Sequence, residues 1–256
     1  NIPYVVTEHA SSYRLGRVPE SNFTLLRRCF ENAFASFAVS TALIDDLKRI
    51  GVSGKIEVLP NMYDDELFNL DGVNRNPVFT FLMVCQFKTN KGIDVALTAF
   101  ARAHAVAGTS RLLIAGEGPE ADKIKQQIDA LNMRDNVSLL GQQSRECVAK
   151  LMKESHCIVS TSRFETFGVT LIEGLACGLT VIATRSGGPE DFVKPPHGSL
   201  IPVDDADALA EEMIRTMRHY DASDEAVLSR NKYAQDRFSK EAFYRRISAV
   251  YERGIA

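Results

Sequence analysis

Short apolar runs alternate along this chain with longer stretches whose apolar positions recur every three or four residues. The short runs read as strands and the longer ones as amphipathic helices, an alternation that parallel βα units produce. The pattern predicts strands over Pro3–Thr7, Ser36–Val39 and Ile56–Leu59, with helices over Phe23–Ala35 and Thr41–Ile50 between them. A polar, Asn-rich segment from Asn69 to Asn76, closed by Pro77, reads as a linker. Past it the pattern predicts strands over Thr80–Val84, Arg111–Ala115, Asn136–Leu140, Cys157–Ser160, Thr180–Ala183 and Leu200–Pro202. Helices fall between them, over Gly92–Ala105, Glu120–Asn132, Ser144–Glu154, Val169–Ala176 and Asp207–His219. The second series suffices for a complete doubly wound α/β domain. The two or three strands of the first do not close such a sheet, so an N-terminal portion is expected outside this chain.

The chain has 256 residues, 45% of them hydrophobic and 25% charged, with a formal net charge of -3. Those are ordinary values for a globular α/β protein, and the charge gives no basic face for nucleic acid. No apolar run reaches the ~18–20 residues that span a bilayer. The opening NIPYVVTEH reads as a buried strand rather than a secretory leader. Five cysteines (Cys29, Cys85, Cys147, Cys157, Cys177) are widely scattered without CxxC pairs. That argues against a disulfide framework and a zinc site, and makes a reducing cytoplasm the natural compartment.

Candidate chemistry concentrates in SRFETFGVTLIEGLACGLTVIATRSGGPEDF, Ser162 to Phe192. The predicted helix after Gly168 is apolar nearly all round, so it is expected to be buried. Glu173 lies inside it, where an unpaired carboxylate is costly. Two readings stand: it hydrogen-bonds a backbone group or a nearby Arg, or its oxygens await the diol of a ribose. The loop before the helix offers backbone amides as an anion site, and Gly168 permits close approach. Glu165 on that loop either accepts hydrogen bonds from sugar hydroxyls or simply complements the helix dipole.

The pair Glu165 and Glu173, Phe167–Gly168, and the ACGLTVIAT and GGPE segments resemble the retaining GT-B glycosyltransferases of family 4. The resemblance extends through TEHASSY (Thr7–Tyr13), LPNMYD (Leu59–Asp64), Lys91–Gly92, AGEGPE (Ala115–Glu120) and LIPVDDADALAEEM. It implies two facing Rossmann-like domains. Residues 1–75 would be part of the acceptor-side domain, 76–240 the donor-binding domain, and 241–256 a helix returning to the first. It also implies that Glu165 contacts the donor sugar and Glu173 the ribose, with the Thr166, Phe167 and Gly168 backbone against sugar and diphosphate.

By the same resemblance Lys91 meets the diphosphate; on position alone it is a solvated surface lysine. The family's accompanying arginine is replaced here by Gln86, and Cys85 stands where a glycine is usual; Lys88 is near enough in sequence to compensate. GEGPEA (Gly116–Ala121) also fits a dinucleotide turn, but no acid follows the next strand to hold a ribose. In the family reading the Gly118 turn packs near the diphosphate and Gln142 near the base. His9 ends the first strand and is structural on its own terms; the resemblance implies that it faces the donor sugar and stabilises charge there. Asp205 and Asp207 mimic a D-x-D metal site, yet precede a helix directly and read as its cap. No metal or other cofactor is expected beyond the nucleotide-sugar co-substrate.

The implied function is retaining transfer of a hexose from a nucleotide-diphosphate sugar to a glycan or lipid-linked acceptor, as in polysaccharide synthesis. Rivals are a module that binds the nucleotide sugar without turning it over, and another GT-B enzyme such as an epimerase or a phosphorylase. Phe23, Leu26, Phe30 and Phe34 on one predicted face, beside Arg27 and Arg28, read as a core face or as a peripheral contact with the inner side of a membrane.

Overall fold

The computed structural model describes residues 2–10, 12–13 and 18–255; Ser11 of the Thr7–Tyr13 segment lies outside the described residues. The strands form two separate sheets, and every described pairing within them is parallel. The first sheet contains β1 (Val5–Glu8), β2 (Ala35–Ala38) and β3 (Glu57–Val58) in that order. Helices α1 (Phe23–Glu31) and α2 (Thr41–Arg49) connect them.

Helix α1 stops short of its predicted end. The Asn32 side chain donates to Arg28 O at 2.7 Å, and the backbone N–H of Phe34 donates to Tyr4 O at 2.9 Å, which turns the chain towards the sheet. Phe34, expected on the apolar face of that helix, therefore lies beyond it and is 47% exposed.

The second sheet has six strands: β4 (Phe79–Val84), β5 (Ser110–Ala115), β6 (Val137–Gly141), β7 (Cys157–Ser160), β8 (Thr180–Thr184) and β9 (Gly198–Ile201). Their spatial order is β6-β5-β4-β7-β8-β9. Strand alternation sends Phe81 and Met83 to one face and Leu82 to the other. Helices α3 (Ile93–Ala107), α4 (Ala121–Ala130) and α7 (Ala206–Arg218) cover the first face through Leu97, Phe100, Ile124 and Leu209. Helices α5 (Arg145–Glu154) and α6 (Val169–Ala176) cover the second through Met152, Leu171 and Leu175. That second core continues without a break into Val39, Leu43 and Leu47 of the first sheet's layer. Winding reverses between β4 and β7, and a doubly wound sheet opens a crevice at the carboxyl ends of its strands at such a switch point.

Helix α8 (Asp224–Phe238) was not among the predicted helices. Much of its attachment is polar: Asn231 donates to Ala176 O at 2.6 Å, Arg230 to Gly178 O at 3.1 Å and the Tyr233 hydroxyl to Phe192 O at 2.7 Å. Such anchors leave no clear apolar stripe in the sequence. Ser239 separates α8 from α9 (Lys240–Ile255), whose Phe243, Ile247 and Val250 pack against Phe37 and Leu59 of the first sheet's layer. The Asn-rich segment is pinned to the end of α5, with Asn74 N–H on Lys153 O and Asn76 N–H on Glu154 O.

Candidate functional site

Three loops meet at the crevice. After β4, a short turn over Thr89–Lys91 ends at Gly92, whose φ is 61°. A Cβ there would lie 2.2 Å from Thr161 O, so only glycine lets this turn press against the loop after β7. The Thr161 hydroxyl bridges Lys91 O at 2.8 Å and Gly92 O at 2.9 Å. Above that contact the Lys91 ammonium sits 2.7 Å from Glu165 Oε2, each side chain about a fifth exposed. The Glu165 backbone is held by the loop after β8, donating to Ser186 O and accepting from Gly188 N–H, both at 2.9 Å. A Cβ on Gly188 would come within 2.4 Å of Thr166 O.

Helix α6 starts at Gly168, which has a left-handed backbone (φ 100°) and provides no side-chain cap. Leu171 N–H folds back onto Gly168 O at 3.0 Å, and the helix start, with no side chain capping it, presents the positive end of the dipole. Phe167 is buried, its ring packed on Phe192 at 5.2 Å and Phe238 at 5.8 Å, so this side chain anchors the loop. Beside the helix start opens a cavity of about 500 Å³, within the usual size of a small-molecule site. Its walls include Cys85, Gln86 and Lys88 after β4, Gly116–Gly118 after β5, Gln142 and Gln143 after β6, and Thr170 of α6. Burial pushes the Cys85 thiol up to about 11, with Lys91 drawing it down and Glu165 driving it up. Lys91 N–H donates to the backbone oxygen of Lys88, a wall residue, at 2.9 Å, which sets the Lys91–Glu165 pair next to the cavity.

Glu173 lies one turn deeper in α6 and is 5% exposed. Burial pushes its carboxyl up to about 7, opposed by Arg145 and reinforced by Asp64. Arg145 Nη2 stands 3.4 Å from Glu173 Oε1, a long contact for a charged pair, while the guanidinium lies over the Phe68 ring at 5.4 Å. The structure therefore brings Gln86, Gly118, Gln142 and the α6 start together around one cavity, with Lys91 and Glu165 at its edge. His9, just after β1, has its Nδ1 2.9 Å from Asn61 Oδ1.

Asp205 accepts from Ala208 N–H at 2.9 Å and caps α7, while Asp207 pairs with Arg102. Among the described residues no three His, Cys, Asp or Glu side chains gather in a metal-holding group, and no helix is long and apolar enough to cross a membrane. All five cysteines are free; Cys157 and Cys177 are buried. A second cavity of about 330 Å³ lies at the opposite, amino-terminal ends of β8 and β9. Its arginines are already engaged, Arg215 with Glu212 and Ser199, and Arg230 with Gly178 O and Asp221 O. Sequence reasoning did not find Arg145 or Arg163 beside the site, because their partners lie 28 and 69 residues away in the chain.

The family model described as Glycosyl transferases group 1 matches residues 71–235, and Glycosyltransferase Family 4 matches residues 1–67. The chain is 30% identical over 229 residues to the N-acetyl-alpha-D-glucosaminyl L-malate synthase of Bacillus anthracis, covering 85% of this chain and 59% of that protein. It is 30% identical over 167 residues to the phosphatidylinositol N-acetylglucosaminyltransferase gpi3 subunit of Schizosaccharomyces pombe, covering 65% of this chain and 36% of the other. It thus spans less than two thirds of either curated relative. Among solved structures, sucrose-phosphate synthase from Thermosynechococcus elongatus superposes with a TM-score of 0.85 at 24% identity, over 99% of this chain and 68% of its own. HepE from Anabaena in complex with UDP superposes with a TM-score of 0.84 at 20% identity, over 98% and 72%. At those identities the structural likeness is one of fold.

Proposed function

The chain belongs to the glycosyl transferases group 1 family and has the GT-B fold, and on that premise we propose that its crevice binds a nucleotide-diphosphate sugar for retaining transfer. The observation that carries this reading is the Lys91–Glu165 pair at the switch point, beside the 500 Å³ cavity and the uncapped start of α6. The nucleotide occupies the cavity, its base near Gln142 and its ribose towards Glu173. The diphosphate lies between the Lys91 ammonium and the α6 amides, which stabilise charge as it leaves. Glu165 then exchanges its ion pair for hydrogen bonds to sugar hydroxyls, and His9 faces the sugar from the other sheet.

The bond from the anomeric carbon to the diphosphate breaks and a bond to the acceptor hydroxyl forms on the same face. The acceptor proton passes to the departing phosphate oxygen. Since Lys91 and the helix amides supply the positive charge, the transfer is independent of a divalent metal. The UDP bound to HepE and the N-acetylglucosaminyl groups named in two relatives support a UDP-activated N-acetylhexosamine as donor. The acceptor is a glycan or lipid-linked hydroxyl.

The test is proton NMR of the product formed from UDP-N-acetylglucosamine and an acceptor panel, in the presence of a chelator. An α-anomeric coupling supports retention, whereas an inverted product would contradict it and loss of turnover with chelator would contradict metal independence. One observation favours a second reading, a module that binds the donor without turning it over: the cavity presents Gln86 where the family carries an arginine. Donor binding with no product from any acceptor is the result that would select it.

A further inference from the structure

Arg163 precedes Glu165 by two residues and does not line the 500 Å³ cavity. Its Nη1 donates to Thr89 O, its Nη2 to Asp94 Oδ2 at 2.9 Å, and its Nε faces Asp204 Oδ1 at 2.8 Å. Its backbone N–H donates to Asn90 O at 2.7 Å. Thr89 and Asn90 are the two residues before Lys91, and Asp94 lies in the first turn of the helix that follows it. The guanidinium therefore grips the Lys91 turn on both sides and ties it to the strand-end loop that carries Glu165.

We infer that Arg163 is a positioning residue for Lys91, holding the 89–94 turn in register with the 161–165 loop so that the ammonium meets the donor diphosphate. The inference rests on the donor-site reading above. Three directed N–H groups in one rigid plane suit three acceptors on two chain segments, Thr89 O and Asp94 on the 89–94 turn and Asp204 beyond β9, a geometry that a lysine's single ammonium cannot reproduce. With Asp94 and Asp204 both on it, the guanidinium is occupied and acts through Lys91.

A double-mutant cycle tests this. UDP, GDP and ADP are titrated calorimetrically into the chain, and the cycle is run on the nucleotide that binds, with Arg163→Met, Lys91→Met and the double variant. Circular dichroism confirms the fold of each variant. If Arg163 acts through Lys91, Arg163→Met weakens binding about 10-fold in the parent chain and less than about 2-fold in the Lys91→Met background. Arg163→Lys stays weak, because charge alone does not restore the fork. Asp94→Asn removes only one of the partners and is expected to weaken binding about 3-fold, which keeps the test open if Arg163→Met fails to fold. Equal losses in both backgrounds, full rescue by lysine, or no loss would overturn the positioning role while leaving the donor site intact. No binding of any nucleotide to the parent chain would overturn the donor site and this inference with it.

Discussion

Replacing Glu173 with glutamine should stabilise the fold at alkaline pH while damaging the site. Glu173 is 5% exposed, and burial pushes its carboxyl from its ordinary 4.5 to about 7. A group raised in this way binds its proton more tightly in the folded chain than in the unfolded one. Its contribution is fully present below about pH 4.5 and is lost as pH rises through about 7. At about 1.4 kcal/mol per pH unit, the loss comes to about 3 kcal/mol. That figure already includes the partial relief from Arg145, whose nitrogen stands 3.4 Å away. Glutamine mimics the neutral acid in shape and never ionises. Urea unfolding followed by circular dichroism should therefore give Glu173→Gln and the parent chain similar stability at about pH 4, below the unfolded carboxyl's 4.5. At pH 8 the variant should be more stable by about 2–3 kcal/mol. Nucleotide affinity should fall in the same variant, since an amide is a poorer acceptor for a ribose diol. A variant destabilised equally at both pH values would refute the reasoning and make Glu173 an anchoring carboxylate instead.

Three other substitutions separate chemistry from architecture. Glu165→Ala should slow sugar transfer far more than it weakens binding of bare UDP, read from parallel kinetics and calorimetry; equal losses would place Glu165 against the nucleotide. Gly92→Ala should cost at least about 1–2 kcal/mol in thermal unfolding, because the backbone is left-handed there and the new Cβ meets Thr161 O at 2.2 Å. Asp205→Ala should cost about 1 kcal/mol through loss of the α7 cap and leave nucleotide affinity unchanged; a loss of affinity would revive a role for the D-x-D pattern.

Periodicity located the second sheet well because each strand is a short apolar run bounded by turns, and Cys157–Ser160 and Val169–Ala176 match residue for residue. It overran α1, because Phe34 continues the helical spacing although Asn32 and the Tyr4–Phe34 hydrogen bond end the helix. It missed α8, where Arg230, Asn231 and Tyr233 reach carbonyls instead of forming an apolar face. The burial of Glu173 was legible from its apolar helix, but its Arg145 partner was not. Nor was the Lys91–Glu165 contact, which joins residues 74 apart and exists only because β4 and β7 are neighbours. Local pattern specifies elements; pairing across the switch point is a property of the assembled sheet.

The most direct measurement is amide hydrogen exchange of this chain with and without UDP. Donor binding at the crevice should protect residues 85–92, 115–118, 142–143 and 165–171 and leave the cavity beside Gly198, Arg215 and Arg230 unchanged. Protection at that second cavity, or none at the four crevice segments, would contradict it.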